Sequence, residues 1–385
     1  LTNKPFEPNN AHHPGKPIMT TATIDPNRWQ YVSDLVRSWV SAGHFPAVSL
    51  CIGAGQVQRR LAVGRFDPSH PGSLAVTPES PFLVASLTKP VTVAAAMMLV
   101  ERGLIRLQDR VADFIPGMNQ PEKASIRIRH LMNHTSGLPD MLPENDSLRA
   151  EHAPLSRFID GICRCEMLFE PGTQVSYQSM GTALLAEVVQ VVTGRRLGEF
   201  LRTEIFEPLG MSSTHLGVAG EQAGRVVRVK ISPQQAATNW NWNTPYWLGL
   251  GAPWGGMTST AADLARFARL FLGRGVLDGV RILSPVAVQM MTTSQMSSCP
   301  KLSEHDRLFN TWGLGWRVQG LGVGTNLGEM LPPSTFGHHG ATGTLMLADP
   351  ARDTYAVILT SRPYDDSASW LMKLSNAISG SFVGG

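Results

Sequence analysis

A chain of 385 residues that is 43% hydrophobic and 16% charged has ample material for a buried core and is somewhat long for a single one, which predicts one body made of two lobes. Its 33 basic and 30 acidic residues are well mixed and sum to +3, so there is no basic stripe of the kind nucleic-acid binding needs. Four cysteines (Cys51, Cys163, Cys165, Cys299) are too few and too irregularly placed for a disulfide framework. The Cys163–Cys165 pair is too close in sequence to bridge easily and has no Cys or His partner at zinc-site spacing, so ordinary reduced thiols are expected.

The first 25 residues, rich in Pro, Asn and Thr, lack the apolar centre of a signal peptide and read as an extended or disordered segment. A start near Met19 would favour the cytoplasm; a leader already removed would allow the periplasm. An amphipathic helix is expected over Asn27 to Val40, followed by two strands in "AVSLCIGAGQVQRRLAVGRFD" that turn at "GAGQ". The chain then becomes helical. "VTVAAAMMLVERG" and "GTALLAEVVQVVTG" both carry apolar helical spacing and a terminal glycine, with loops marked by "HTSGLPD" and "EPGTQ" between them. The longest apolar run, Val91 to Val100, is far short of the roughly 20 residues a membrane span needs.

Past residue 255, "STAADLARFARLFLGRG" reads as a capped amphipathic helix. "TWGLGWRVQG", "TFGHHGATGTLMLADP" and "DTYAVILTSR" alternate like antiparallel strands, and "SASWLMKLSNAIS" reads as a final helix. Strands near both ends with helices between predict an α/β lobe from 26–80 and 256–385, with a helical lobe, 81–255, inserted.

One short segment carries chemistry. In "ASLTKP", Ser86 and Lys89 lie three residues apart, so on a helix they share a face. Pro90 is tolerated only in a first helical turn, which puts Ser86 at the helix N-terminus, where backbone N–H groups favour developing negative charge. A serine hydroxyl must lose its proton as it attacks, and Lys89 is within reach to take it. By itself the tetrapeptide also fits a capping serine followed by a lysine that reaches solvent.

Further segments stand in a fixed order: "FLVASLTKPVTVAAAMMLVERGLIRLQDRVADFIPG", "IRHLMNHTSGLPD", "FEPGTQVSYQSMGTALLAEVVQVVTG", "WGGMTSTAADLARFARLFL" and "FGHHGATGT". Over roughly Pro46 to Thr360 the chain resembles the serine β-lactamase and penicillin-binding-protein superfamily, and most the branch of class C β-lactamases, D-alanyl-D-peptidases and family VIII esterases. The resemblance implies a β-lactamase-like α/β (α+β) fold, an antiparallel sheet flanked by terminal helices plus the inserted helical lobe. It also implies that Ser86 is acylated and that Lys89 and Tyr177 share the proton traffic, with the N–H groups of Ser86 and Ala341 as the oxyanion hole. Either Lys89 or Tyr177 needs a shift of about 3 units to act as a base near pH 7, and the sequence leaves the choice between them open.

The chain departs from the family pattern at two motifs. "YQS" places Ser179 where the family carries asparagine, and "HHG" places His338 where many relatives carry the lysine of K-T-G. Strand alternation puts His338 and Gly340 on one side and His339 on the other, with the glycine expected to let substrate approach closely. Ser179, His338, His339, Gly340 and Trp254 are the expected substrate-binding residues; Trp254 closes an aromatic span with Trp240, Trp242, Tyr246 and Trp247 that suits an acyl or alkyl group. No metal or cofactor is called for. A serine hydrolase of small carboxylic esters is the leading expectation, then of D-amino-acid peptides or amides, then of β-lactams. The rival from another class is a catalytically silent ligand binder or scaffold.

Overall fold

The computed structural model describes residues 22–70, 72–321 and 325–384; the expected extended segment lies almost wholly outside them. Helix α1, Pro26–Ser41, opens at Asp25, whose carboxylate accepts from the N–H groups of Asn27 (2.8 Å) and Arg28 (2.9 Å). Strands β1 (Ala47–Ala54) and β2 (Val57–Gly64) form the expected hairpin. Strand β3, Phe82–Leu83, leads into helix α2, Thr88–Glu101. Helices α3 (Leu155–Arg164) and α4 (Met180–Thr193) follow; α4 stops at Gly194, whose φ of +67° suits glycine. Strand β4 (Met257–Ser259) pairs with β3 and runs into helix α5, Ala261–Leu272, capped by Thr260.

The remaining strands are β5 (Arg317–Val318), β6 (Phe336–Gly340), β7 (Thr344–Asp349) and β8 (Thr354–Thr360), and helix α6 is Tyr364–Ser379. They form an antiparallel six-stranded sheet in the order β2-β1-β8-β7-β6-β5, so strands from both ends of the chain meet at β1 and β8. Strand β5 is shorter than "TWGLGWRVQG" suggests. Gly315 and Gly320 take positive φ, and a side chain on Gly313 would strike the backbone of Met291, so the segment turns instead of extending.

Every residue of β1 is buried, because both faces of the sheet are covered. Val48, Leu50 and Ile52 face α1 and α6 through Val32, Val36, Leu371 and Leu374, whereas Cys51, Met346 and Val357 face α5 and the helices beyond it. This second core runs without a break into α2 and α4, and it carries strand β6, next to the short edge strand β5, up against the turn that precedes α2. Among the described residues no helix is long and apolar enough to cross a membrane.

Candidate active site

Ser86 sits in a single 3₁₀ turn, Ala85–Leu87, between β3 and α2. Ala85 has φ of +47°, a left-handed conformation that costs a non-glycine residue on the order of 1–3 kcal/mol. The surroundings hold it there. Thr342 Oγ1 donates to the Leu83 carbonyl (2.6 Å), Thr344 Oγ1 to that of Val84 (2.9 Å) and Thr88 Oγ1 to that of Ala85 (2.6 Å). Two threonines of the β6–β7 hairpin thus fasten the turn to the sheet.

Lys89, in the first turn of α2, is buried and extends back toward the turn. Its Nζ lies 3.0 Å from Ser86 Oγ and donates to the Trp254 carbonyl at 3.0 Å. Burial pushes its pKa down from 10.5 to about 7, and the negative charge of Asp140 opposes the fall in part. The amine is therefore substantially neutral near pH 7, with one donor spent on Trp254 and its lone pair free for the serine proton. Nζ also lies 4.6 Å from the centre of the Tyr177 ring. The Tyr177 hydroxyl shares a hydrogen bond with Ser86, but burial raises its pKa well above 10 and Asp140 adds to that rise. The phenol stays protonated.

Tyr177 is held by a histidine that the sequence places only in a loop. The carbonyl of His134 accepts from the N–H of Ser176 (2.9 Å), and its ring Nδ1 accepts from the N–H of Gln178 (3.2 Å), so one residue brackets Tyr177 on both sides. The His134 ring packs 4.8 Å from that of Tyr177 and 4.2 Å from that of Trp312. Because Nδ1 accepts, the proton of a neutral ring sits on Nε2, which is buried with no partner among the described residues. Gln178 ties the two loops together further, since Ser136 Oγ donates to its Oε1 and its Nε2 donates to the His130 carbonyl at 3.0 Å. "HTSGLPD" held this signal: it supplies His134, Ser136 and Asp140 together.

His338 is buried on the same side, 5.9 Å from Tyr177 and 5.6 Å from Trp312 between ring centres. Its Nδ1 lies 2.7 Å from the His339 carbonyl, which can only accept, so Nε2 is the bare nitrogen and faces no protein donor among the described residues. Desolvation, and then the charges of His339 and Lys89, hold its pKa well below 6.5, so it carries no positive charge at pH 7.

Three of the expected substrate contacts are placed otherwise. His339 is turned to the opposite face of β6 and stacks on Tyr364 at 4.3 Å, as the strand's two-residue period requires. Gly340 makes room for the Ala85–Leu87 turn: a Cβ there would run into the Val84 carbonyl oxygen and Thr344 Oγ1, and would lie 3.3 Å from Ala85 Cβ. Trp254 offers its carbonyl to Lys89, whereas its ring packs 5.6 Å from Phe158 and lines a different cavity. Trp240 and Trp247, from the same aromatic span, each stack on the guanidinium of Arg149 at 4.6 Å, and Tyr246 donates to the Ala153 carbonyl at 2.9 Å, so this span anchors loops. Ser179 is buried at the N-cap of α4, and its N–H donates to the Asp140 carbonyl at 3.3 Å. Ala341 follows β6 at the exposed end of the strand.

The model of the family described as Beta-lactamase matches residues 32–374. The chain belongs to the Beta-lactamase family. Penicillin-binding protein 4 of Amycolatopsis lactamdurans is 30% identical over 349 residues, 88% of this chain and 86% of that protein. Among solved structures, a penicillin-binding protein homologue from Caulobacter crescentus superposes with a TM-score of 0.74 at 22% identity, over 94% of this chain and 100% of that one. EstCE1, titled a hydrolase with promiscuous acyltransferase activity, does so with a TM-score of 0.74 at 19% identity, over 92% and 98%. At these identities the structural likeness bears on the fold, and the β-lactamase-like fold expected from the motifs is the one the chain adopts.

Proposed function

We propose that this Beta-lactamase-family chain is a serine hydrolase that forms an acyl-enzyme on Ser86 and acts on small neutral carboxylic esters. The observation that carries the reading is the buried Lys89 amine, 3.0 Å from Ser86 Oγ, with its pKa lowered to about 7. In this mechanism neutral Lys89 takes the Ser86 proton as Oγ bonds to the ester carbonyl carbon. The N–H groups of Ser86 and Ala341 stabilise the oxyanion. The tetrahedral intermediate collapses, the C–O bond to the alcohol breaks, and the leaving oxygen is protonated through Tyr177, which regains a proton from Lys89. A water molecule then attacks the acyl-enzyme with the same groups in reverse roles.

The preference for neutral substrates rests on His338. An uncharged imidazole stands where a lysine would hold a substrate carboxylate, so β-lactams and peptides with a free C-terminus lack a fixed counter-charge. One preparation assayed on p-nitrophenyl acetate and butyrate, a D-alanyl amide and nitrocefin tests the reading. Esters are expected to be turned over well and nitrocefin poorly, and all turnover to vanish in Ser86→Ala while the thermal transition remains. Ester hydrolysis surviving in Ser86→Ala would remove the nucleophile assignment; nitrocefin as the best substrate would remove the ester assignment.

A further inference from the structure

The cavity that Trp254 lines is separate from the Ser86 cluster. It has a volume of about 860 Å³, is formed by α3, α4 and the 249–254 segment, and includes none of Ser86, Lys89 or Tyr177 in its walls. That volume is in the range of small-molecule sites. Its floor is apolar, built from Leu155, Ile159, Ala183, Leu250, Pro253 and Trp254. Its charged residues are mostly acidic: Asp160 from α3, Glu187 from α4 and Glu199, against Arg196, with Ser156 and Gln190 as neutral polar neighbours. Glu199 is already within 3.9 Å of Arg195, so Asp160 and Glu187 on facing helices, the latter accepting from Gln190 Nε2 at 2.7 Å, outnumber the positive charge of Arg196 two to one.

We propose that this cavity is a second ligand site, which takes an organic ammonium ion with an apolar body. The apolar part packs on the Leu155–Trp254 floor, and the cationic head pairs with Asp160 and Glu187. The site adjoins the catalytic machinery. The carbonyls of Pro253 and Trp254 turn the other way, accepting from Thr92 Oγ1 at 2.9 Å and from Lys89 Nζ at 3.0 Å, so a ligand on Trp254 lies against the segment that orients the amine.

Hexyltrimethylammonium is the probe, titrated calorimetrically into the full chain, with hexanoate and hexanol as controls. One site is expected, unchanged in Ser86→Ala, weakened by added salt, and weaker for both controls. The Asp160→Asn/Glu187→Gln double variant should bind about tenfold more weakly, since two partly screened charges are lost. Leu155→Arg, at a half-buried position, should abolish binding while the thermal transition is kept. The proposal is overturned by absence of binding at millimolar probe, by equal affinity for hexanoate, or by unchanged affinity in the double variant. The double variant decides even if Leu155→Arg fails to fold.

Discussion

The pH dependence of ester turnover is where Lys89 is most exposed to test. In water its pKa is 10.5, and a neutral fraction of roughly 3 in 10,000 at pH 7 would make it a useless base. Lowered to about 7, the amine is about half neutral at that pH, which corresponds to a burial cost on the charged form on the order of 5 kcal/mol. Turnover should therefore rise with pH through about 7 and reach a plateau near pH 8.5, and at pH 5.5 kcat/KM should be roughly thirtyfold below the plateau. Asp140 opposes the fall in pKa, so Asp140→Asn should move this limb to lower pH and leave the variant more active than the parent below pH 6, relative to its own plateau. The assay is kcat/KM for p-nitrophenyl butyrate from pH 5 to 9 in both proteins. A flat profile, a limb near pH 10, or an alkaline shift in Asp140→Asn would refute the assignment of Lys89 as a neutral base.

The same burial has a consequence for stability. Lys89 binds a proton in the unfolded chain that it largely gives up in the native one, so between pH 7 and 10.5 the native state gains stability as pH rises. Lys89→Met should raise Tm at pH 7 by about 2–5 °C while lowering kcat by about 10²–10⁴-fold, and Tyr177→Phe should cost a similar rate factor, with the double variant well short of the product of the two; a scanning calorimeter and an ester assay check both. Gly340→Ala should lower Tm and kcat together, because its Cβ is blocked by the Val84 carbonyl and by Thr344 Oγ1 behind the Ala85–Leu87 turn; unchanged values would mean that β6 can move away freely. His338→Lys should raise kcat/KM for nitrocefin relative to a neutral ester by about tenfold or more, as a charge-assisted hydrogen bond supplies. An unchanged ratio would detach substrate choice from this position.

The linear order of residues determined that Ser86 and Lys89 come together, because Ser86, Lys89 and Pro90 are local: three-residue spacing and the first-turn tolerance for proline set both at the start of α2, although the left-handed Ala85 beside Ser86 is held by Thr342 and Thr344 from the sheet. It also determined the strands and most helix limits, since apolar period and terminal glycines such as Gly194 act within a few residues. The pKa of Lys89 was not legible there. Its fall depends on desolvation by a core assembled from segments far apart in sequence, and its second partner is a backbone carbonyl 165 residues away, which any residue type could supply. "HTSGLPD" marked His134 as part of a motif but not as a clamp, because its partners are backbone N–H groups on either side of Tyr177, which any residue type could supply. The direction of the Trp254 ring, the stacking of His339 on Tyr364 and the occupation of the space over Gly340 by Val84 and Ala85 were likewise decided by how α2, β6 and the 249–254 segment pack. A sequence can specify that a glycine is needed; only the packed chain shows which neighbour needs the room.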